Sequence, residues 1–188
     1  MLILVIGDLH IPSRSYSIPA VFKESLSTGK IHQILCTGNL CTRSEIEMLR
    51  KFCSDVQIVR GEFDEDDVTE CEQLSVTVGS FKIGLVSSYT LIPSNDKARL
   101  AAKARELDAD ILAFGGGHQA GMYQKDGKLY INPGSATGAF CAENPEPRPS
   151  FILINIQGNS AITYIYTLEA DGTMKVDKDV FQKEGEDE

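Results

Sequence analysis

What this chain has little of narrows its chemistry first. Lys and Arg number 18 against 27 Asp and Glu, and the formal net charge is −9. A phosphate-backbone binder needs a basic patch to release counterions, so nucleic acid is not an expected partner. Cysteine is sparse and scattered: Cys36, Cys41, Cys53, Cys71 and Cys141 are odd in number and form no C-x-x-C pair. That pattern fits a reduced, cytosolic setting better than a disulfide framework. The N-terminal run Leu2 to Ile6 has no basic residue before it and is broken by Gly7-Asp8. It falls far short of a signal-peptide core or of the ~20 residues of a membrane span. Direct membrane insertion is therefore not expected, and any membrane association must go through partners. The chain also lacks an internal repeat or a long linker. At 188 residues with 42% hydrophobic content it can bury one sizeable core, so the expectation is a single domain over 1–183 and a disordered acidic tail over 184–188.

Present instead is an alternation of apolar runs and helical periodicity, which predicts an α/β architecture. Leu2-Ile3-Leu4-Val5-Ile6 is apolar throughout, as in a central strand covered on both faces. Ile18, Phe22 and Leu26 recur at helical spacing; Ile34-Leu35-Cys36 and Val56 to Val59 read as further strands. Thr42-Arg43-Ser44-Glu45 has the form of a capping box, followed by the apolar stripe Ile46, Leu49, Phe52 and Cys53. Beyond a polar stretch from Glu62 to Glu72, strands are predicted at Leu74 to Val78, Phe81 to Val86 and Asp110 to Phe114. One helix, about Asn95 to Leu107, intervenes with Asn95 as its N-cap. Asp126-Gly127 signals a type I′ hairpin within Tyr123 to Tyr130. Gln157-Gly158-Asn159-Ser160 joins a last pair of strands, Phe151 to Ile156 and Ala161 to Leu168.

Four polar clusters stand at or just after apolar runs: Asp8-Leu9-His10, Gly38-Asn39, Gly61-Glu62-Phe63-Asp64 and Gly117-His118. Functional loops of open α/β sheets gather at the carboxyl ends of parallel strands, and His, Asp, Glu and Asn suit a divalent metal. Each cluster alone is weak evidence: an isolated Asp-x-His is more often a polar pair capping a strand end. Gly115-Gly116-Gly117 lacks the Lys-Ser/Thr of a P-loop and reads as a flexible turn. Leu153, Tyr164 and Tyr166 fit a core equally well as an amphipathic partner surface.

Taken in order, the clusters resemble the Asp-x-His, Gly-Asp, Gly-Asn-His-Asp/Glu, His and Gly-His-x-His series of the calcineurin-like metallophosphoesterases. With Gly38-Asn39-Leu40-Cys41, Phe63 and Asn132 to Ala139, the chain is most similar to the retromer small-subunit branch, from Met1 to about Leu168. The resemblance implies a four-layer αββα sandwich. It also implies one metal position at Asp8, His10, His118 and Asn39. A second would take Asn39, Glu62 and the residues at Ser87 and Gly116. Two of those four positions cannot ligate, Asn39 is neutral where the family has a carboxylate, and Phe63 replaces the His that protonates the leaving group. The expectations are thus no catalysis, no required cofactor, and at most one weakly bound divalent metal, zinc or manganese.

By the same resemblance the chain is a scaffold in protein transport from endosomes to the Golgi or plasma membrane. It would be cytoplasmic and peripheral on endosomes. Its expected partners are vacuolar protein sorting-associated protein 35, the large α-solenoid subunit of retromer, and other retromer subunits and regulators. Leu91, Ile92 and Pro93, on a loop where burial is not expected, are assigned to the solenoid. Leu2, Leu153, Tyr164 and Tyr166 are assigned to a second hydrophobic face. The competing reading is a metal-dependent phosphoesterase with a degenerate site.

Overall fold

The computed structural model describes residues 1–93 and 95–183. The acidic tail at 184–188 lies outside the described residues. In chain order the elements are β1 (Leu2–Ile6), α1 (Ala20–Leu26), β2 (Gln33–Cys36), α2 (Arg43–Arg50), β3 (Val56–Ile58), β4 (Gln73–Val78) and β5 (Phe81–Val86). Then follow α3 (Lys97–Glu106), β6 (Ile111–Phe114), β7 (Gly121–Lys125), β8 (Lys128–Asn132), β9 (Ser150–Gln157), β10 (Ser160–Leu168) and β11 (Met174–Gln182).

The strands form two sheets, ordered β11-β10-β9-β1-β2-β3 and β4-β5-β6-β8-β7. The continuous apolar run of β1 is explained by its two neighbourhoods. Ile3 and Val5 face the space between the sheets, where they join Leu35, Ile83, Leu85, Ile111 and Ile152. Leu4 and Ile6 face outward onto Phe22 and Leu26 of α1 and Ile46 and Leu49 of α2. Helix α3 covers the second sheet, burying Leu100, Ala101 and Ala104 against Val86, Leu112 and Tyr130. The result is the expected αββα order of layers.

Within each sheet a parallel block supplies the functional end. β1, β2 and β3 run parallel, as do β5, β6 and β8. Their carboxyl ends lie together between the sheets, so loops from both can meet. Asp126 and Gly127 both adopt positive φ, +52° and +67°, and close the β7–β8 hairpin, as the I′ signal requires.

Three local expectations need correction. Thr42 precedes α2, but its hydroxyl pairs with Ser44 Oγ and caps no backbone N–H. The capping-box bond is lost to a nearer hydroxyl. Helix α3 is capped by Asp96, not Asn95: the Asp96 carboxylate accepts from Arg99 N at 2.8 Å. Strand β11 was not anticipated, because it is an edge strand carrying Lys175, Asp177, Lys178 and Asp179 rather than an apolar alternation.

Candidate functional site

Asp8 and His10 follow β1, Asn39 follows β2 and His118 follows β6, and the fold brings all four to one buried point. Asp8 and His10 are fully buried, and Asn39 and His118 are each 4% exposed. All four adopt left-handed backbone, with φ of +48°, +48°, +57° and +49°. Such residues each cost on the order of 1 kcal/mol, so the loops must be held from outside the point of convergence.

Asp64 does much of that holding. Its Oδ2 accepts from Asn39 N at 2.9 Å and Gly61 N at 2.7 Å, and its Oδ1 from Cys41 N at 2.8 Å. One buried carboxylate thereby ties the loop after β2 to the loop after β3. Close approach is part of the design: a Cβ at Gly38, whose φ is +93°, would lie 2.5 Å from Gly61 N. From the other sheet, Ser135 Oγ donates to Asp8 O at 2.6 Å and accepts from Ala139 N at 2.8 Å. Thr137 Oγ1 donates to Leu9 O at 2.7 Å. Asp64 was quoted in the sequence only as a cluster member. An acidic residue three positions after a loop glycine was the available signal for its holding role.

At the centre, Asp8 Oδ1 accepts from Asn39 Nδ2 at 2.8 Å and Asp8 Oδ2 from Gly116 N at 3.0 Å. His10 Nε2 and His118 Nε2 lie 3.1 Å apart, and His118 Nδ1 meets Ala139 O at 2.6 Å. Burial raises the Asp8 carboxyl above its usual range, opposed by His118 and by the Asn39 and Gly116 donors. Burial also holds His10 down, at about 3, with His118 and Arg14 adding to the effect. His10 is therefore a neutral imidazole at physiological pH.

The donor set fits one divalent ion. Asp8 Oδ1 is 4.0 Å from His10 Nε2 and 3.9 Å from His118 Nε2. With the 3.1 Å between the imidazoles, these separations bracket the roughly 3.4 Å between ligands of a tetrahedral ion with ~2.1 Å bonds. Among the described residues, Asp8, His10 and His118 are the group of His, Cys, Asp and Glu side chains close enough to share an ion. Glu62 is exposed on the rim of the cleft and is not in the Asp8, His10, His118 group. Ser87 is wholly buried. Gly116, with φ +90°, has no side chain and uses its N–H on Asp8. Glu62 is turned to solvent by its loop, and Asn39 donates its Nδ2 to Asp8 Oδ1 while its Oδ1 accepts from Phe63 N.

An open cleft of about 640 Å³ lies over this centre, bordered by Phe63, Leu91, Ile92 and Glu143 among others. Exposed apolar side chains on its border include Ile92, 73% exposed, and Phe63, 45%; Phe140, 60% exposed, precedes the bordering Cys141. Arg14 stacks over Phe63 at 4.5 Å and donates to the backbone Phe140 O at 2.9 Å, tying the Phe63 ring to the main chain at Phe140. Phe140 and Arg14 were not singled out in the sequence. Pro93 is exposed, but Leu91 is not: at 3% exposed it packs beneath α3 with Val86, Leu100 and Phe114. The expectation of three exposed apolar residues is corrected to two, because Leu91 completes the core under the helix.

Leu2, Leu153, Tyr164 and Tyr166 lie elsewhere, on the outer face of the first sheet. Leu4, Leu153, Tyr164 and Lys178 form one row across four strands, and Lys178 Nζ lies 5.9 Å from the Tyr164 ring centre. Tyr166 stacks on Phe151 at 4.9 Å. Leu2, Leu153, Tyr164 and Tyr166 are half-buried, and Leu2, Leu153 and Tyr166 pack on the margin of the outer core.

Comparison with known proteins gives this geometry its context. Residues 1–159 match the family model of the calcineurin-like phosphoesterase superfamily domain. The chain is 43% identical over 187 residues to vacuolar protein sorting-associated protein 29 of Schizosaccharomyces pombe, covering 97% of this chain and 99% of that one. It superposes on Vps29 of Cryptosporidium parvum with a TM-score of 0.92 at 40% identity, covering 97% and 98% of the two chains. The Entamoeba histolytica Vps29 complexed with Zn²⁺ gives 0.89 at 43%, covering 97% and 100%. With site, fold and near full-length relatives in agreement, the chain belongs to the vacuolar protein sorting-associated protein 29 family of the calcineurin-like phosphoesterase superfamily.

Proposed function

We propose that this chain is a non-catalytic scaffold subunit of retromer, acting in protein transport on endosomal membranes that it reaches through its partners. It docks on the C-terminal part of the α-solenoid subunit, vacuolar protein sorting-associated protein 35. The observation that carries this reading is a buried, self-bonded polar centre with exposed apolar side chains close above it. Ile92, Pro93, Phe63 and Phe140 offer area to a partner, whereas the centre offers little to a substrate. Catalysis of the family type needs a proton donor at the leaving group, a contribution of ~10²–10⁴-fold, and the phenyl ring of Phe63 has none. An ion held by Asp8, His10 and His118 would act as a Lewis acid on one oxygen, without the second ion that completes the two-metal clamp. Leu2, Leu153, Tyr164 and Tyr166 form the second face, suited to a regulator.

The alternative, a degenerate metal-dependent phosphoesterase, rests on the spacing of those three ligands and on the zinc complex of the Entamoeba relative. The two readings part on one experiment. Ile92→Asp should leave the melting temperature unchanged, since the side chain is mostly in solvent. It should weaken association with the solenoid subunit at least roughly 30-fold, since a central apolar anchor is worth about 2 kcal/mol or more. Asp8→Ala should weaken association far less. If Ile92→Asp binds as wild type does while Asp8→Ala or a chelator releases the partner, docking is metal-mediated and the scaffold reading of this face fails.

A further inference from the structure

Strand β11 ends the first sheet, and its far side has no neighbouring strand. The bonds at its two ends fix which residues face outward. Glu169 N donates to Thr173 O at 2.9 Å and Lys183 N to Asn159 O at 2.9 Å, so the odd-numbered residues of β11 bond to β10. Antiparallel ladders alternate. Met174, Val176, Lys178 and Val180 therefore turn their N–H and C=O groups away from the sheet.

The protein covers only part of this edge. Val180 N–H donates to Asp179 Oδ1 at 2.9 Å. Gln124 Nε2, from the edge strand β7 of the second sheet, donates to Val180 O at 3.0 Å and to Asp179 Oδ2 at 2.8 Å. Among the described residues nothing bonds the outward groups of Met174, Val176 and Lys178. An edge satisfied over one half and open over the other is a template for a further strand. Val176, 47% exposed, stands at the middle of the open half.

That half is complementary to itself. In a two-fold antiparallel pair centred on Val176, Lys175 of each copy stands directly opposite Asp177 of the other. Val176 meets Val176, Met174 meets Lys178, and about six main-chain bonds close without the covered groups of Val180. The neighbouring registers fail. Centred on Asp177, the pairing sets two carboxylates face to face and requires Val180; centred on Lys178, it opposes two ammonium groups and sets Asp177 against Asp179 twice. Charges that deter strand addition in general here admit one register.

We infer that the Met174–Lys178 edge of β11 pairs with the same edge of a second copy of this chain, in the register centred on Val176. The first sheet then runs unbroken through both copies, and Leu153, Tyr164 and Tyr166 of the two lie on one continuous side. Neither the cleft nor its loops take part, so the pairing stands or falls apart from the docking reading. Each copy carries a formal net charge of −9, so the contact is weak and depends on salt. At about 0.15 M the Debye length of roughly 8 Å screens the two bodies from each other, while the facing pairs stay closer than that.

The test is sedimentation velocity of the full chain at that salt, from about 10 μM to about 1 mM. Wild type should shift from monomer toward dimer across the range. Lys175→Asp and Asp177→Lys alter side chains 58% and 49% exposed, so each should melt as wild type does. Each should dimerise at least roughly tenfold more weakly, because like charges then face each other twice. Asp177→Lys brings the chain closer to neutrality, so its weakening is not general repulsion. The two single variants mixed in equal amounts should associate as wild type does, since the mixture restores opposite charges at both positions. A wild type that stays monomeric throughout, single variants that dimerise unchanged, or a mixture that stays apart overturns the inference. Dimerisation lost in Tyr164→Ala but kept in both charge variants places the contact on the outer face of the sheet and overturns it too. Should a charge variant fail to fold, amide exchange in wild type decides alone. The Val176 and Lys178 amides should exchange at least about threefold more slowly in the concentrated sample than in the dilute one, and equal rates overturn the pairing.

Discussion

The cleft end and the outer face of β9 to β11 are the two surfaces proposed for partners, and they are built in opposite ways. At the cleft, loops in strained conformations are drawn together by a few polar groups, and the apolar side chains stand on top with little beneath them. On the outer face, Leu153, Tyr164 and Tyr166 project from strands in a continuous ladder, and neighbours bury half of each side chain. The lesson concerns where failure concentrates. A loop surface depends on single anchors, whereas a strand surface spreads its support over many backbone bonds.

The strongest way to break that contrast is at Asp64. Asp64→Ala would leave the N–H groups of Asn39, Cys41 and Gly61 without their acceptor, each worth about 1–3 kcal/mol when buried and unpaired. Thermal melting should fall by roughly 10 °C, and solenoid association should fall with it although no contact residue has changed. A drop of less than about 3 °C would mean that the loops are held by something else.

A smaller effect is expected on the strand face. Tyr164→Ala removes a half-buried ring from a ladder that remains paired on both sides, so the melting temperature should fall by about 4 °C or less and solenoid association should be unchanged. Loss of that association would show the two faces to be coupled. The least change is expected from Phe63→His. Restoring an imidazole gives a proton donor, but Ser87 and Gly116 still lack ligands for a second ion. Assay of a nitrophenyl phosphodiester with excess manganese should therefore show no turnover above background. Turnover that disappears in Phe63→His with Asp8→Ala would reopen the enzymatic reading.

The layers were legible in the sequence because the inner strands are apolar at every position and the helices are not. What escaped was decided by neighbours that a linear reading does not contain. β11 is polar along much of its length because it lies at an edge. Leu91 reads like Ile92 in sequence, yet one turns beneath α3 and the other into solvent. At the site, Asp8, His10 and His118 announced themselves by spacing. Asn39 was legible as a residue, but its contacts with Phe63 N and Asp8, which set the direction of the amide, were not. Asp64 was hidden because its partners are backbone amides, which every residue type carries.

Gly116 makes a further side-chain ligand hard to install at this site. The backbone around Asp8, His10 and His118 still presents ligands, so a return toward metal chemistry is short as far as three positions are concerned. At Gly116 the chain holds a conformation with φ +90°, where glycine is at ease and a histidine is strained. A single codon change there would supply an imidazole to a backbone that resists holding it and would disturb the N–H that serves Asp8. Recovering the ligand requires the loop to be reshaped first, and until then an intermediate gains nothing from the new side chain. An imidazole at this position would therefore need the main chain to change with it.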